Sequence, residues 1–366
     1  MRAAVLHDDA TDLSIDDVTI DTPGPGEVLM RTAASGLCHS DLHFMQRDWE
    51  YPTPVVLGHE AAGRVEAVGE GVTEFVPGDH VIACVSVFCG ACEFCVDGRT
   101  HLCINSGTTG GRPEGAPSRL RSATGAPVNQ FANLGTFAEQ MLVGERALVK
   151  IREDMPLDRA ALIGCGVTTG TGAVFKTAGV EPGASVAVIG CGGVGMAVVQ
   201  AARIAGATRI VAVDTEPRKL DAAAGFGATD VVNPNDGDPV AQVLDLTAGG
   251  VDYAFEAIGL KATAEQAFRM AKRGGTATII GMMRPGTMVE VDGVDLFMSE
   301  KRLQGSLMGS NAFRVDMPKL VDLYLDGRLQ LDDMVSDRIQ IDAINSGFEA
   351  MKAGDVVRSV IEFDAD

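Results

Sequence analysis

The sequence has no excess of basic residues. Its 366 residues include 30 lysines and arginines against 50 aspartates and glutamates, which gives a formal net charge of −20. Proteins that bind nucleic acids need a basic face for the phosphates, and an anionic membrane surface repels an acidic chain. The composition therefore argues against both kinds of partner.

Long apolar runs and targeting signals are also missing. No run of about 18 uncharged apolar residues occurs, so we expect no transmembrane helix. The first segment, MRAAVLHDDATDLSIDDV, is acidic and has no apolar core of the kind that a signal peptide requires. We therefore expect a cytoplasmic protein with reduced thiols. The hydrophobic content of 46% is enough for two globular domains.

Cysteines are distributed unevenly along the chain. Four of the 8 cysteines share one short segment with the spacing C-x2-C-x2-C-x7-C, namely Cys89, Cys92, Cys95 and Cys103. A reducing compartment disfavours disulfides, and four thiolates at this spacing favour one tetrahedral zinc ion over a redox pair. An iron–sulfur cluster also uses four cysteines and remains an alternative. Zinc with four thiolate ligands has no open position, so this site would be structural.

The pattern of apolar and turn-forming residues changes near residue 167. Before this point, short apolar runs are broken by glycine and proline, which predicts a β-rich domain. Residues 105–135 are rich in glycine, proline, serine and asparagine and predict a long surface loop. Residues 167–308 alternate apolar strands with helical segments, which predicts a doubly wound α/β domain with a parallel sheet. Residues after 309 contain one amphipathic helix, MPKLVDLYLDGRL, and a last strand, RSVIEFD.

A glycine-rich turn lies between the first strand and the first helix of the α/β domain. Its sequence is GCGGVG, from Gly190 to Gly195, and Asp214 follows nineteen residues later. In this context G-x-G-x-x-G indicates a dinucleotide site, since the glycines bring the helix N-terminus to the pyrophosphate. The alternative is a simple helix-capping turn. It is disfavoured because the strand before the turn, the helix after it and the downstream Asp214 all fit a dinucleotide site. The Asp214 carboxylate would bind the ribose and repel a 2′-phosphate, which favours NAD over NADP, and Lys219 could also reach the ribose.

A second group of metal-binding residues is spread along the first 170 residues. Cys38 lies in GLCHSDLH, His59 and Glu60 lie in LGHEAAG, and Cys165 lies in IGCGVTTG. Any one of these residues alone is more simply explained by core packing. Two thiolates and one imidazole with an open fourth position, however, would form a catalytic zinc site.

With these motifs the chain resembles the zinc-dependent medium-chain alcohol dehydrogenases over essentially its whole length. The resemblance rests on GLCHSDLH, GHEAAGRVEAVGEGV, PGDHV, the four-cysteine segment, GCGVTTG and GCGGVG. It implies a GroES-like β-rich catalytic domain at 1–166, with a structural zinc lobe at about 86–104. A Rossmann NAD-binding domain at 167–308 would follow, and the segment 309–366 would return to the catalytic domain. It further implies two zinc ions per chain, one catalytic and one structural, and an active site in the cleft between the domains.

The resemblance also implies roles for the residues near the catalytic zinc. The implied zinc ligands are Cys38, His59 and Cys165. Glu60 matches an acid that can approach the metal during ligand exchange, and Asp41 matches the carboxylate that orients His59. Ser40 matches the hydroxyl that hydrogen-bonds the alcohol, and His43 matches the outer end of the proton relay.

Further residues match the family's cofactor site and substrate pocket. The implied cofactor-binding residues are Gly190, Gly192, Gly193, Val194, Gly195, Asp214, Lys219, Thr169, His39 and Arg358. Among them, His39 and Arg358 match positions near the pyrophosphate, and Thr169 and Val194 match positions near the nicotinamide. The implied pocket residues are Trp49, Val85, Phe131, Ala132, Met282 and Leu307. They are apolar, and Val85 and Ala132 are small, which predicts a bulky or aromatic alcohol.

The expected reaction is reversible hydride transfer between a primary or secondary alcohol and NAD, giving an aldehyde or a ketone. S-(hydroxymethyl)glutathione is the alternative substrate. The branch of the family that oxidises it typically has an arginine shortly after the last structural cysteine, where this chain has Gly107. A non-catalytic relative would have lost metal ligands, whereas both sets are complete here. The long 105–135 segment resembles the dimeric branch, so we expect a homodimer through the Rossmann sheets, with a tetramer as the alternative.

Overall fold

The computed structural model describes residues 1–8, 10–113 and 115–363. The chain forms two units, each with its own core. The first contains Met1–Gly166, Asn311–Gly327 and the segment from Leu331 onward, and the second contains Val167–Ser310 and Arg328–Gln330. Among the described residues, no helix is long and apolar enough to cross a membrane.

The first unit is built mainly from β-strands. Its strands are β1 (Arg2–Leu6), β2 (Ser14–Ile20), β3 (Glu27–Gly36), β4 (Val55–Val56), β5 (Glu60–Val68), β6 (His80–Ala83), β7 (Leu120–Ser122), β8 (Pro127–Gln130), β9 (Gln140–Gly144), β10 (Leu148–Lys150), β17 (Val335–Ile339) and β18 (Arg358–Glu362). Strands β1, β2, β7, β8 and β4 close into a small barrel, and the others form a sheet in the order β10-β6-β5-β3-β18-β17, with β9 also paired to β3. The expected β-rich character of this region is confirmed.

The segment 105–135 differs from the long surface loop that its composition predicts. It contains the short helix α3 (Ser106–Gly110) and the strands β7 and β8, which belong to the barrel. Leu120 and Val128 on these strands are buried in the core. Strands of three or four residues are too short to show a clear alternation of polar and apolar residues, so composition alone suggested a loop.

Short helices connect the strands of the first unit and lie beside its sheet. They are α1 (His39–Met45), α2 (Glu93–Val96), α3, α4 (Leu157–Leu162), α11 (Phe313–Leu325) and α12 (Ile344–Ala353). A π-helical turn, Ile163–Val167, follows α4 directly. The sequence predicts α11 and β18 in this region, whereas α12 and β17 were not predicted. The exposed middle of β17 hides the alternation by which strands are recognised.

The second unit is a doubly wound α/β domain, which confirms the expected fold class. Its strands are β11 (Ser185–Ile189), β12 (Arg209–Val213), β13 (Asp230–Val232), β14 (Val251–Glu256), β15 (Ala271–Ile279) and β16 (Arg302–Gly305). Every pairing is parallel, in the order β13-β12-β11-β14-β15-β16. The helices are α5 (Thr168–Gly172), α6 (Gly193–Ala205), α7 (Pro217–Phe226), α8 (Pro239–Leu246), α9 (Lys261–Met270) and α10 (Gly293–Met298).

Two neighbouring strands of this sheet, β11 and β12, are almost entirely apolar and buried. In β11, residues Val186 to Ile189 are all buried, and the same holds for Ile210 to Val213 of β12. Strands covered on both faces are continuously apolar rather than alternating, which is why the sequence indicated a parallel sheet. The turn between β11 and α6 lies at the C-terminal edge of the sheet, where such domains bind their ligands.

Candidate active site

Four metal-binding side chains meet in the first unit. Cys38 directly precedes α1, His59 directly precedes β5, Glu60 begins β5, and Cys165 lies in the π-helical turn after α4. One possible ligand atom from each of these residues lies within 4.8 Å of those of the others. All four residues are buried. The chain therefore brings together the two thiols, one imidazole and one carboxylate that the sequence predicted.

Asp41 joins the two loops that carry Cys38 and His59. One carboxylate oxygen accepts hydrogen bonds from the Gly58 amide at 3.1 Å and from His59 Nδ1 at 3.0 Å. The other oxygen accepts from the Cys38 amide at 3.2 Å. With Nδ1 engaged, the Nε2 atom of His59 is the ring nitrogen left for a metal ion.

The charges in this cluster shift the titration of its members. Burial alone would lower the pKa of His59, but the negative charges of Asp41 and Cys38 outweigh it and raise the pKa well above its ordinary value. A hydrogen bond from Cys165, together with Arg358, lowers the pKa of Cys38 well below that of a free thiol. The shift favours the thiolate of Cys38, which is the form that binds metals.

Glu60 is paired with Arg358 from β18. Its Oε1 atom accepts from Arg358 at 3.0 Å and from the Gly166 amide at 3.0 Å. Burial raises the pKa of Glu60 to about 7, although Arg358 opposes this shift. Its Oε2 atom is buried and has no hydrogen-bond partner among the described residues. A buried carboxylate oxygen without a partner is costly, and a cation beside it would remove that cost.

This donor set fits a catalytic zinc ion. Two sulfurs and one imidazole nitrogen are the ligands of an open zinc site, and Glu60 supplies a further oxygen close by. Cys38, His59 and Cys165 would hold the ion and leave one position for substrate.

The four-cysteine segment forms a second candidate metal site. Sulfur-to-sulfur distances are 3.9 Å for Cys89–Cys95, 3.5 Å for Cys92–Cys95 and 3.9 Å for Cys92–Cys103. A tetrahedral zinc ion with bonds of about 2.3 Å has sulfurs about 3.8 Å apart, which fits these values. All eight cysteines are free. The segment therefore suits a closed, structural zinc site, and the expectation of two metal sites is confirmed.

Backbone amides point at the sulfurs of the four-cysteine segment and stabilise their thiolate forms. The amides of Ala91 and Cys92 point at the Cys89 sulfur at 3.4 and 3.3 Å, and they lower the pKa of Cys89 to about 6. The Cys89 amide points at the Cys103 sulfur at 3.2 Å. Such amides stabilise thiolates, as they do in other cysteine metal sites.

The glycine-rich turn of the second unit has the form that a dinucleotide site needs. Gly190 has a φ of 94°, and a Cβ atom there would lie 2.5 Å from the Ile258 side chain. A Cβ atom on Gly195 would lie 1.7 Å from the Gly190 carbonyl oxygen, so only glycine allows this close approach of helix and turn. Gly192 has open space around its Cα, which leaves room for a ligand.

Asp214 is fixed to this turn through one carboxylate oxygen and to the start of α7 through the other. One oxygen accepts from the Cys191 amide at 2.7 Å, and the other accepts from the Glu216 amide at 3.0 Å. Gly193, Val194 and Lys219 lie nearby in chain order, at the starts of α6 and α7. Thr169 is buried in α5 of the same unit, and its hydroxyl contacts the Met308 sulfur at 3.5 Å.

The remaining predicted relay, cofactor and pocket residues are divided between the two units. Ser40 and His43 lie three residues apart on α1, on one face of that helix, and His39 is exposed in its first turn. The Phe131 ring lies 5.7 Å from the His59 ring, and Ala132 follows it with a φ of 52°. Trp49 and Val85 are half-buried in the first unit, whereas Met282 and Leu307 belong to the second. The roles proposed for these residues remain predictions.

Asp48 also belongs near the site, although no sequence motif indicated it. Its carboxylate lies 3.0 Å from His43 Nδ1. Asp48 lies only five residues after His43, so an acid close to the predicted relay histidine was visible in the sequence. Whether the two side chains meet depends on the backbone conformation after α1, which the sequence did not indicate.

Comparisons with known proteins agree with this geometry. The family model described as "Alcohol dehydrogenase GroES-like domain" matches residues 24–153, and the model described as "Zinc-binding dehydrogenase" matches residues 193–326. The chain belongs to the zinc-binding alcohol dehydrogenase family. It is therefore a zinc-dependent oxidoreductase that acts on CH–OH groups and uses a nicotinamide dinucleotide, NAD or NADP, and the first unit has the expected GroES-like fold.

Individual relatives span the whole chain. A protein of Haemophilus influenzae named S-(hydroxymethyl)glutathione dehydrogenase is 42% identical over 99% of this chain and 97% of its own length. The crystal structure of an alcohol dehydrogenase zinc-binding domain protein from Burkholderia ambifaria matches with a TM-score of 0.95 and 35% identity, covering 100% of this chain and 99% of that one. Benzyl alcohol dehydrogenase from Acinetobacter calcoaceticus matches with a TM-score of 0.93 and 32% identity over 99% of both chains.

Removing the charge of Asp41 should weaken the catalytic metal site. Asp41→Asn removes the negative charge and replaces one of the two acceptor oxygens with an NH2 donor, so the side chain can no longer accept from both His59 and the Cys38 amide. The hold on His59 is weakened, and we expect zinc affinity to fall about 10- to 100-fold. Chelator competition followed by zinc analysis measures this. One of two zinc ions per chain should become labile, while the four-cysteine site keeps its ion. Loss of both ions together would contradict the assignment of two independent sites.

Proposed function

We propose that this dehydrogenase oxidises S-(hydroxymethyl)glutathione with NAD as the hydride acceptor. The observation that carries the proposal is the 42% identity, over nearly the whole chain, to a relative of that name. This similarity favours the second of the two substrates expected from the sequence over the bulky alcohol. The complete set of metal-binding residues around Cys38, His59 and Cys165 supports the chemistry.

Several side chains around the zinc site would each have a separate role in this reaction. Bound zinc supplies the Lewis acidity that lowers the pKa of an alcohol, and the nicotinamide accepts the hydride. Ser40 and His43 share one face of α1, the helix that begins beside Cys38, and would lead the alcohol proton toward solvent. Asp41 holds His59 in place, and Arg358 neutralises Glu60.

An apolar alcohol, bulky or aromatic, is the second candidate substrate. Gly107 is exposed on α3 where the glutathione-specific branch typically has an arginine. The next two arginines do not replace it, because the Arg112 guanidinium binds Glu27 and Asp21, and the Arg119 guanidinium binds Glu27. The structural similarity to a benzyl alcohol dehydrogenase and the small side chains of Val85 and Ala132 favour this candidate.

Substituting Gly107 tests both candidates at one position. Gly107 is exposed, and a Cβ atom there meets nothing within 4 Å, so a side chain can leave the backbone toward solvent at this position. If S-(hydroxymethyl)glutathione is the substrate, we expect its KM to fall about tenfold, because a charged hydrogen bond to the substrate carboxylate is gained. The KM for benzyl alcohol should stay unchanged. Rates of NADH formation with each substrate measure the effect.

Thr108→Arg is the matched control, since Thr108 is also exposed on α3 and the variant adds the same charge in a different direction from the helix. It should leave both KM values unchanged. Oxidation of benzyl alcohol by the unaltered enzyme, with no turnover of formaldehyde plus glutathione, would reject the first candidate and leave the second.

We propose NAD rather than NADP as the cofactor on the basis of Asp214. Its carboxylate is held at the glycine-rich turn, where a 2′-phosphate would meet a fixed negative charge. We expect Asp214→Asn to weaken NADH binding about tenfold and to narrow the preference for NADH over NADPH. Fluorescence titration with both cofactors measures this. Asp221→Asn, an exposed position on α7, is the control, and an unchanged preference in Asp214→Asn would contradict the proposal.

We further propose a homodimer formed through the second unit. Strand β16 lies at one edge of the parallel sheet, and the preceding helix α10 exposes Val294, Phe297 and Met298, with Phe297 76% exposed. An open sheet edge beside exposed apolar side chains is suited to pairing with a second copy.

A charge at the centre of this apolar face should separate the subunits. We expect Phe297→Asp to sediment as a monomer of 38.2 kDa, since a carboxylate would be buried in the interface. Val96→Asp, which changes an equally exposed apolar residue of the first unit, should leave the mass of the assembly unchanged. A dimer that persists in Phe297→Asp would place the interface elsewhere.

A further inference from the structure

The end of helix α1 has an unusual composition. Arg47 adopts a left-handed conformation with a φ of 62°, although it is not glycine. Its amide donates to the Phe44 carbonyl at 3.2 Å, and the next amide, that of Asp48, donates to the His43 carbonyl at 2.9 Å. These two bonds define a Schellman motif, in which the left-handed position is usually glycine. The left-handed conformation of Arg47 is strained for a residue with a side chain, and it directs Asp48 back toward the last turn of α1.

The strained turn is secured from outside the helix. The Arg47 guanidinium donates to the His7 carbonyl at 2.8 Å and to the Ala10 carbonyl at 3.5 Å. Glycine would relieve the strain but could not make these contacts. The position is therefore fixed by a side chain rather than left flexible, and the geometry of the residues on either side of Arg47 is fixed with it.

A Schellman motif brings two particular side chains together. These are the residue three positions before the cap and the residue two positions after it, which usually form an apolar contact. Here the pair is His43 and Asp48, and the contact is a hydrogen bond of 3.0 Å between His43 Nδ1 and the Asp48 carboxylate. The two side chains are 25% and 12% exposed, so the bond is largely shielded while the histidine keeps access to solvent.

We propose that Asp48 is a positioning residue that holds His43 with its proton on Nδ1 and its Nε2 atom free to accept the substrate proton. The inference rests on the proposed function, in which the alcohol proton leaves through Ser40 and His43. A carboxylate that accepts from Nδ1 selects this tautomer and stabilises the imidazolium that forms when Nε2 gains a proton. That proton then passes from Nε2 to water, which returns His43 to its neutral form.

The state of the ring can be observed directly, without substrate. In protein labelled with nitrogen-15 at its 6 histidines, two-dimensional NMR distinguishes the two tautomers, and His43→Gln identifies the His43 signals. We expect His43 to carry its proton on Nδ1 in the unaltered holoenzyme and to become a mixture of tautomers in Asp48→Ala. Asp48→Glu, which keeps a carboxylate, should restore part of the original population.

Kinetics then connect the tautomer to the reaction. We expect Asp48→Ala to lower kcat about tenfold while the KM values for alcohol and NAD change less than twofold, because general-base assistance contributes about 100-fold or more and is only partly lost. In a His43→Gln background, Asp48→Ala should cause no further loss. Asp16→Ala removes a carboxylate of β2 that pairs with another exposed histidine, His7, and should leave kcat unchanged.

Three results would overturn the proposal. They are an unaltered His43 tautomer in Asp48→Ala, an unchanged kcat, or the same tenfold loss in the His43→Gln background, which would show that Asp48 acts through the fold alone. Failure of the proposed function gives a different result, since the unaltered enzyme would then oxidise benzyl alcohol but would not turn over formaldehyde plus glutathione. The Asp48 variants are then compared with benzyl alcohol as the substrate, whose proton would leave through the same Ser40 and His43.

Discussion

The carboxylate of Asp41 is the interaction on which the rest of the catalytic unit depends. This buried group accepts from Cys38, Gly58 and His59, so it fixes two loops far apart in the chain and orients one imidazole. Burial raises the pKa of Asp41, and three donors are what keep such a carboxylate tolerable in the interior. Cys165 and Glu60 then meet the assembled pair from neighbouring elements. Without Asp41, a thiolate and an imidazole would come close together with no fixed direction for either.

Helix α1 uses the same device twice. At its N-terminal end Asp41 binds His59 through Nδ1, and at its C-terminal end Asp48 binds His43 through Nδ1. In both pairs the Nε2 atom is left for other chemistry, toward a metal ion in one case and toward a proton in the other. The first aspartate is fully buried, whereas the second pair keeps contact with water. The difference in exposure suits the buried Asp41–His59 pair to holding a metal ligand in place. It suits the partly exposed Asp48–His43 pair to exchanging a proton with water.

The sequence predicted those features that are encoded by local spacing or by a periodic pattern. The parallel sheet, the GCGGVG turn with Asp214, and the four-cysteine segment all belong to this class. Strands β7 and β8 were missed because they are too short for periodicity, and Leu120 and Val128 become recognisable only once the barrel closes. The Glu60–Arg358 pair joins residues 298 positions apart, and no pattern within either segment indicates the other. The His43–Asp48 contact is local, but it depends on a left-handed Arg47 where glycine is the usual signal.

The position of Arg358 has a consequence for biosynthesis. Strand β18 pairs with β3 in the middle of the first unit's sheet, and Arg358 donates to the Leu37 carbonyl beside the metal-binding residues. During translation, β3, α1 and β5 leave the ribosome long before β18 does. The four-cysteine lobe, whose ligands span only one short segment, can capture its ion while synthesis continues. The catalytic site, by contrast, gains Arg358 only after β18 has been synthesised and inserted beside β3, so it is completed later than the four-cysteine segment can be.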